Sequence, residues 1–330
     1  MKSWDTQAHS LQTIATFYGV DGKRFQRQYR KRLSDFKEWK YKHSAHKGII
    51  FPENIGPNLS IDETSLSHGE LYTIVTNKEA KGKKGTIVAI IQGTNSEQII
   101  PLLQQIPSKS RDKVKEVTLD LAGNMSLIVR KSFPHARMVI DRFHVQQLAT
   151  EALQEIRIRH RWEAIEAENE SIEKARKTNK SYAPTILSNG ETLKQMLARS
   201  RYVLYKAEKN WTHEQATRAN ILFDRYPDIK KAYGLSQKLA WIYNNTTDKT
   251  YALTRLAKWH EDVERAGFKS FNVISRTIAN QYQRILNYFD NRSTNASAES
   301  FNSKIKAFRT QYRGVRDTNF FLFRLSKLYA

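Results

Sequence analysis

The chain contains no cysteine among its 330 residues. Disulfides, thiolate zinc sites and cysteine nucleophiles are therefore excluded, and the composition fits a reducing compartment. Long apolar runs are also missing, since the longest are strand-sized and fall far below the ~20 residues that a membrane-spanning helix needs. The first residues contain no apolar signal core. We therefore expect a cytoplasmic protein with no membrane partner.

Acidic residues are few relative to basic ones. The chain has 55 Lys and Arg against 33 Asp and Glu, which gives a net charge of +22. Such a surplus suits a polyanionic partner that releases counterions on binding, most often nucleic acid. A ribosomal or membrane-surface protein would carry a similar charge, so composition favours nucleic acid without specifying it.

Two helical patterns occupy residues 8–36. Apolar residues recur at helical spacing over 11–18 and again over 25–36, with Gly19 between them. Two amphipathic helices joined by a short turn are typical of a helix-turn-helix, although a basic, solvated helical pair has the same pattern. The second helix carries the candidate DNA-contacting residues Lys23, Arg24, Arg27, Arg30 and Lys31.

From Leu59 the period becomes that of β-strands. Three β-rich runs, at 59–63, 71–76 and 86–91, are separated by turns that contain glycine, which predicts antiparallel hairpins. Two further strands, ending at Asp120 and Asp141, then alternate with helices. Three antiparallel strands followed by two parallel ones is the order of a ribonuclease H-like domain, so the predicted fold class is α/β with a mixed sheet.

Strand signals vanish after residue 160, and five or six amphipathic helices follow. The tryptophans of these helices, Trp162, Trp241 and Trp259 among them, are expected mainly in the core. The patterns predict five segments: a helix-turn-helix at 1–40, a linker at 41–57, the first part of the catalytic core at 58–160, an all-helical insertion at 161–289, and the last part of the core at 290–330.

Two aspartates lie on or at the end of neighbouring predicted strands. Asp62 lies on the first strand and Asp120 ends the fourth, and adjacent strands are ~4.8 Å apart. Cleavage of a phosphodiester by two metal ions needs carboxylates that converge from separate segments. Either residue alone could instead accept only turn hydrogen bonds. Together they predict a metal site.

The last predicted helix, 298–310, supplies a third carboxylate. Glu299, Asn302 and Lys306 recur on one stripe beside the apolar face of this helix. A carboxylate, an amide and an amine on one face suit a metal, a substrate oxygen and a phosphate. A surface glutamate with incidental neighbours would show the same periodicity.

Several ordered blocks resemble the ISL3 family of insertion-sequence transposases, its ISAon-like group most closely. They are Ile61-Asp62-Glu63, Thr118-Leu119-Asp120-Leu121-Ala122, Phe133-Pro134-His135-Ala136, Val139-Ile140-Asp141-Arg142-Phe143-His144-Val145, Ser293-Thr294-Asn295-Ala296, Ala298-Glu299-Ser300-Phe301-Asn302, Ile305-Lys306 and Arg313-Gly314. The resemblance covers the chain from about residue 58 onward.

This resemblance implies a catalytic and metal-binding triad of Asp62, Asp120 and Glu299 that holds two Mg²⁺ or Mn²⁺ ions. It implies DNA cleavage and strand transfer at transposon ends by a homo-oligomer on DNA. Family members usually carry an N-terminal zinc-binding segment, which a chain without cysteine cannot supply. We therefore expect either that a separate upstream polypeptide supplies that part or that it has been lost.

Further candidates surround the triad. Asp141, Asn302 and Lys306 are expected to position DNA or to support the metal ligands, as is His144, for which a structural role is an equal alternative. Asp141 is the competing second carboxylate, but by strand spacing it lies ~9–10 Å from Asp62. Basic residues near the last helix are candidates for DNA contact: Lys304, Arg309, Arg313 and Arg316. A second basic cluster comprises Arg157, Arg159 and Arg161.

Three functional hypotheses follow. The first is the transposase. The second is a helix-turn-helix DNA-binding protein with an inactive transposase-like core, and the third is a ribonuclease H-like nuclease without strand transfer. The products formed on DNA distinguish them.

Overall fold

The computed structural model describes residues 11–67, 69–311, 315 and 317–330. It contains two compact units. The first is formed by the described parts of 1–141 and 292–330, and the second by 142–291. Among the described residues, no helix is both long enough and apolar enough to cross a membrane.

The described part of the first unit starts with two short helices, α1 (Leu11–Phe17) and α2 (Gly22–Gln28). The Asp21 side chain caps α2 by accepting a hydrogen bond from the Arg24 backbone N–H at 2.6 Å. A π-helical turn, Tyr29–Leu33, ends the second helix before Phe36, where the apolar stripe had predicted it to continue. Both predicted helices are therefore present in the described residues, the second ends earlier than expected, and the helix-turn-helix assignment stays a prediction.

A six-stranded mixed sheet forms the centre of this unit. Its strands are β1 (Gly48–Ile50), β2 (Asn58–Ser67), β3 (Glu70–Asn77), β4 (Ile87–Gln92), β5 (Glu116–Leu119) and β6 (Arg137–Ile140). Their order across the sheet is β1-β4-β3-β2-β5-β6. The β4-β3-β2 part is antiparallel, whereas β5 and β6 run parallel to β2. The mixed sheet agrees with the sequence analysis. Strand β1 was not predicted, and it lies in the segment expected to be a linker.

Helices cover the sheet and follow its parallel strands. They are α3 (Ser96–Leu103), α4 (Ser108–Arg111), α5 (Gly123–Ser132), α14 (Ala296–Gln311) and α15 (Thr318–Tyr329). The apolar stripe of α14, Phe301, Ile305 and Phe308, is fully buried among residues of the sheet and α15. This packing turns the neighbouring stripe of α14, which carries Asn302, toward β2.

The N-terminal segment packs on the last helix of the same unit. Tyr29 and Phe36 form a buried cluster with Phe320 and Phe323 of α15. Arg324 is fully buried there, and its Nη1 donates to the Tyr29 hydroxyl at 3.4 Å.

The second unit is built from helices. They are α6 (Arg142–Lys177), α7 (Leu193–Leu204), α8 (His213–Arg225), α9 (Pro227–Asn245), α10 (Lys249–Ala266), α11 (Lys269–Asn280), α12 (Tyr282–Leu286) and α13 (Tyr288–Asn291). Trp259 of α10 is fully buried and its indole N–H donates to the Leu235 carbonyl at 2.8 Å. Trp162 and Trp241, expected in the core, are instead about half exposed, at 59% and 49%.

Candidate functional site

The sheet brings Asp62 and Asp120 together. Asp62 lies in β2, and Asp120 directly follows β5. The parallel register of these strands pairs Ser60 with Thr118. When this register is continued by two residues, Asp62 lies beside Asp120. Both then lie on the same face of the sheet as Ser60 and Thr118, because alternate residues of a strand share a face. The two strands are therefore neighbours, as the sequence analysis predicted.

Hydrogen bonds fix both carboxylates. Asp62 Oδ1 accepts from the Glu63 backbone N–H at 2.8 Å, and Asp62 Oδ2 accepts from Asn302 Nδ2 at 2.7 Å. Asp120 Oδ1 accepts from the Ala122 backbone N–H at 2.8 Å. Asn302 is buried on α14, so this helix is held against β2 at the position of Asp62. The amide predicted to lie at the site is in direct contact with it.

Glu63 is a further carboxylate at this site that the sequence analysis did not assign. Burial raises the pKa of Glu63, and the negative charges of Asp120 and Asp62 raise it further. Its place in the block Ile61-Asp62-Glu63 was the only signal for it in the sequence. Carboxylates held close to one another are characteristic of functional sites, since their repulsion costs stability.

Glu299 lies in the first turn of α14, one turn before Asn302, and is partly buried. The Ser303 hydroxyl donates to the Glu299 backbone carbonyl at 3.0 Å. Among the described residues, no three His, Asp or Glu side chains form a group arranged to hold a metal ion. The structure therefore brings together Asp62, Asp120 and Asn302, and does not complete a metal-binding group with Glu299.

A partly buried lysine lies on the same side of the sheet. Lys78 Nζ donates to Thr118 Oγ1 at 2.9 Å and to the Ser293 hydroxyl, and lies 3.8 Å from Glu116 Oε1. Thr118 precedes Asp120 by two residues, and Ser293 lies in the segment that leads into α14. Burial lowers the pKa of Lys78, whereas the carboxylates of Glu116 and Asp141 act in the opposite direction. Lys78 thus links β5, which leads to Asp120, with the segment that precedes α14, the helix of Glu299. No sequence motif marks it.

The two supporting candidates after β6 lie in different units. Asp141 is buried directly after β6, and its backbone N–H donates to the Leu119 carbonyl at 2.9 Å. His144 lies in the first turn of α6, half-buried, with its ring edge-on to Phe143. The roles expected of both residues stay predictions.

The basic residues of α14 divide by their contacts. Lys304 Nζ donates to the Gly82 carbonyl at 3.0 Å, and Arg309 Nη1 donates to the Ser65 carbonyl at 3.3 Å. These two side chains tie the helix to its own unit. Lys306 is exposed. Arg313 and Arg316, also expected to contact DNA, lie outside the described residues.

A basic pocket of about 550 Å³ lies beside the N-terminal helices. Its lining residues are Lys23, Gln26, Arg27, Arg30, Lys31, Phe36, Lys37 and Lys42. Arg30 is held by an ion pair with Asp317 at 2.5 Å and lies over the rings of Phe36 and Phe320. Four of the five N-terminal candidates therefore line one concave surface. Arg24 is not among its lining residues, and Lys37 and Lys42 were not predicted.

A comparison with known proteins identifies the class to which this protein belongs. Residues 59–325 match the sequence profile of the ISL3 family, described as transposase, and the chain belongs to that family. It is 21% identical over 270 residues to the transposase for insertion sequence element IS1001 of Bordetella parapertussis, which covers 81% of this chain and 59% of that protein.

A second relative is the transposase for insertion sequence element IS1557 of Mycobacterium tuberculosis, 23% identical over 252 residues. That match covers 75% of this chain and 54% of the relative. The chain therefore spans little more than half the length of these curated relatives. No solved structure matches the chain significantly.

Proposed function

We propose that this chain is a metal-dependent DNA transposase with a ribonuclease H-like core, in which Asp62, Asp120 and Glu299 form the catalytic triad. The observation that carries the proposal is the parallel register that sets Asp62 beside Asp120, together with the hydrogen bond from Asn302 to Asp62. Membership of the ISL3 family supports it.

The residues at the site suit two Mg²⁺ or Mn²⁺ ions by their chemistry. Carboxylate oxygens are the ligands that Mg²⁺ prefers, and the side chains of Glu63 and Asp120 face no cation among the described residues. Residues three apart on a helix have Cβ atoms about 5–6 Å apart. Glu299 therefore starts within one helical turn of the Asn302–Asp62 contact, and the proposal requires its carboxylate to be directed toward the aspartates when the ions bind.

Bound at this site, the ions would activate a nucleophile and stabilise the leaving oxygen of an in-line displacement at phosphorus. The chain's own residues hold the geometry. Asn302 donates to Asp62 and fixes the orientation of its carboxylate, and Lys78 fixes β5 relative to the start of α14. Lys306, one helical turn beyond Asn302, is exposed and available to a DNA phosphate.

The N-terminal pocket is proposed to hold the DNA backbone. Its lysines and arginines lie on one concave surface, which suits phosphates on a duplex. Binding of transposon ends by a helix-turn-helix, a homo-oligomer on DNA and a separate upstream polypeptide belong to the same proposal.

The test is a strand-transfer reaction on DNA that carries the ends of the element, with any polypeptide encoded upstream supplied. Asp62→Asn, Asp120→Asn and Glu299→Gln should each reduce joined product by at least about 10²–10³-fold, since each removes a ligand that acts on charge in the transition state. Glu173→Gln, an exposed glutamate on α6, is the matched control and should retain activity.

Each outcome has a consequence. Nicked DNA without joined product would replace the proposal by a ribonuclease H-like nuclease. DNA binding by the wild type without any cleavage would favour the DNA-binding protein with an inactive core. Retained transfer in one variant would remove that residue from the triad.

A further inference from the structure

A second group of basic side chains lies in the helical unit, on the packed pair α6 and α7. Arg157 and Arg161 are one turn apart on α6, and Arg201 and Tyr205 are one turn apart at the end of α7. We call these four residues the arginine face. Arg157 joins the two helices, because its Nε donates to Gln154 Oε1 at 2.6 Å and its Nη1 donates to the Leu197 carbonyl at 2.8 Å.

The arginine face concentrates positive charge without a carboxylate. Arg157 is 5% exposed, and its hydrogen-bond acceptors are neutral. Burial lowers the pKa of Arg157, and the charges of Arg161 and Arg201 lower it further. Within the part of the chain that the structure describes, neither Arg161 nor Arg201 has an ion-pair partner. The charges of Arg161 and Arg201 both repel that of Arg157, and an anionic ligand would relieve that repulsion.

A neighbouring arginine on the same helix shows the opposite arrangement. Arg199, two residues before Arg201, donates to Glu191 Oε1 at 2.8 Å. Arg218 of α8 donates to the same carboxylate at 2.7 Å. These two arginines are neutralised within the protein, so the missing carboxylate at the arginine face is a local property and not a general feature of the unit.

Exposed aromatic rings accompany these cations. Tyr205 is 50% exposed, and the Arg201 guanidinium lies 6.0 Å from the centroid of its ring. Tyr202 on the same turn is 67% exposed. Arginines beside exposed aromatic rings are the combination by which proteins bind single-stranded nucleic acid, since the cations contact phosphates while a base stacks on the ring.

We propose that the arginine face binds a single strand of DNA, with Arg161 and Arg201 on successive phosphates and Tyr205 stacked against an unpaired base. The buried Arg157 holds α6 and α7 in register and adds its charge. This inference depends on the proposed function in one respect, namely that the polyanion bound by the arginine face is DNA. It adds a DNA surface formed by residues of the helical unit, none of which belongs to the N-terminal pocket or to the carboxylates.

The test is equilibrium binding of a fluorescent 20-nucleotide single strand of mixed sequence to the full chain, without divalent metal and at several salt concentrations. Arg161→Gln with Arg201→Gln should weaken binding by about tenfold, and should reduce the slope of log K against log salt by roughly 1.4, about 0.7 per phosphate contact. Tyr205→Leu should weaken binding at least about fivefold.

The matched control is Lys174→Gln with Arg176→Gln, which removes the same charge from two exposed positions of α6. It should bind within about twofold of wild type, because neither residue belongs to the arginine face. The assay contains no divalent metal, so loss of strand transfer and loss of this surface are separate results.

Equal losses in the test and control doubles would reduce the effect to net charge and overturn the proposal. Unchanged binding by Tyr205→Leu would overturn the stacking contact. A loss seen on a duplex of the same sequence and not on the single strand would assign the face to duplex DNA and contradict the proposal. Thermal unfolding of each variant near the wild-type temperature verifies that the fold is intact.

Discussion

Glu191 and Glu63 are two glutamates withdrawn from solvent in different units, and they face opposite partners. Glu191 lies between Arg199 and Arg218, whose hydrogen bonds lower the pKa of Glu191 to about 2. Glu63 lies near Asp120 and Asp62, and burial with these negative charges raises the pKa of Glu63. One carboxylate is neutralised by the protein itself, and the other is held among like charges.

This difference distinguishes structural from functional charge. A buried ion pair that is fully hydrogen-bonded holds helices together. Carboxylates kept close to one another cost stability in the protein alone, and a fold retains them where a bound cation offsets that cost. The comparison predicts that the Glu191 site affects stability and that the Asp62 site affects activity.

Glu191→Gln is the strongest test on the structural side. The folded-state pKa of Glu191, about 2, lies below its ordinary value of 4.5. Its stabilisation is therefore fully present above about pH 4.5 and is lost as the pH falls toward 2. Urea unfolding at pH 7 should show a loss of about 3 kcal/mol.

The difference between variant and wild type should shrink as the pH is lowered from 5 to 3, while strand transfer at pH 7 stays near the wild-type rate in the folded protein. A difference independent of pH would mean that the ion pairs of Glu191 do not supply the stability.

Lys78→Met tests the buried connection between β5 and the approach to α14. The variant removes the hydrogen bonds to Thr118 and Ser293 and the charge opposite Glu116, so the free energy of unfolding should fall by about 2 kcal/mol. Strand transfer by the folded variant should also fall about tenfold, beyond any loss from unfolding. The reason is that this connection positions the carboxylates, which become misaligned without it.

Lys78→Arg should recover part of the lost activity, and the exposed Lys84→Met should change neither quantity. Equal activity of Lys78→Met and wild type under conditions where both are folded would show that the lysine is only structural.

Glu63→Gln should have the smallest effect and the opposite sign. Removing one of the mutually repelling carboxylates should stabilise the metal-free protein at pH 7 by roughly 0.2–1 kcal/mol, the range for like charges across strands. The gain should disappear below the ordinary pKa of glutamate, where the group is protonated in both states. Destabilisation at pH 7 would contradict the account of repulsion at this site.

Much of the fold was predictable because periodicity is a local property. Strands β2 to β6 and the helix of Glu299 were predicted within a few residues, since alternation and helical spacing are set by which side chains face the core. Strand β1 has only three residues and was missed, because so short a run has no period. Trp162 and Trp241 were misplaced because spacing identifies a helix face without showing what covers it.

The site was predictable only where strand order determined it. The neighbouring positions of Asp62 and Asp120 follow from a parallel register, and Asn302 follows from the stripe on α14. Lys78 was not predictable, since a lone lysine after a strand is usually exposed and its burial depends on Ser293, 215 residues away. The convergence of Arg161 with Arg201 likewise depends on helix packing that no local pattern contains.

The central claim is that Asp62, Asp120 and Glu299 together bind divalent cations. Calorimetric titration of the full chain with Mn²⁺ tests it most directly, with Glu191→Gln as the control for loss of an unrelated buried carboxylate. The account predicts two bound ions in the wild type and in Glu191→Gln, and loss of at least one in both Asp120→Asn and Glu299→Gln. Wild-type binding by Glu299→Gln would contradict it.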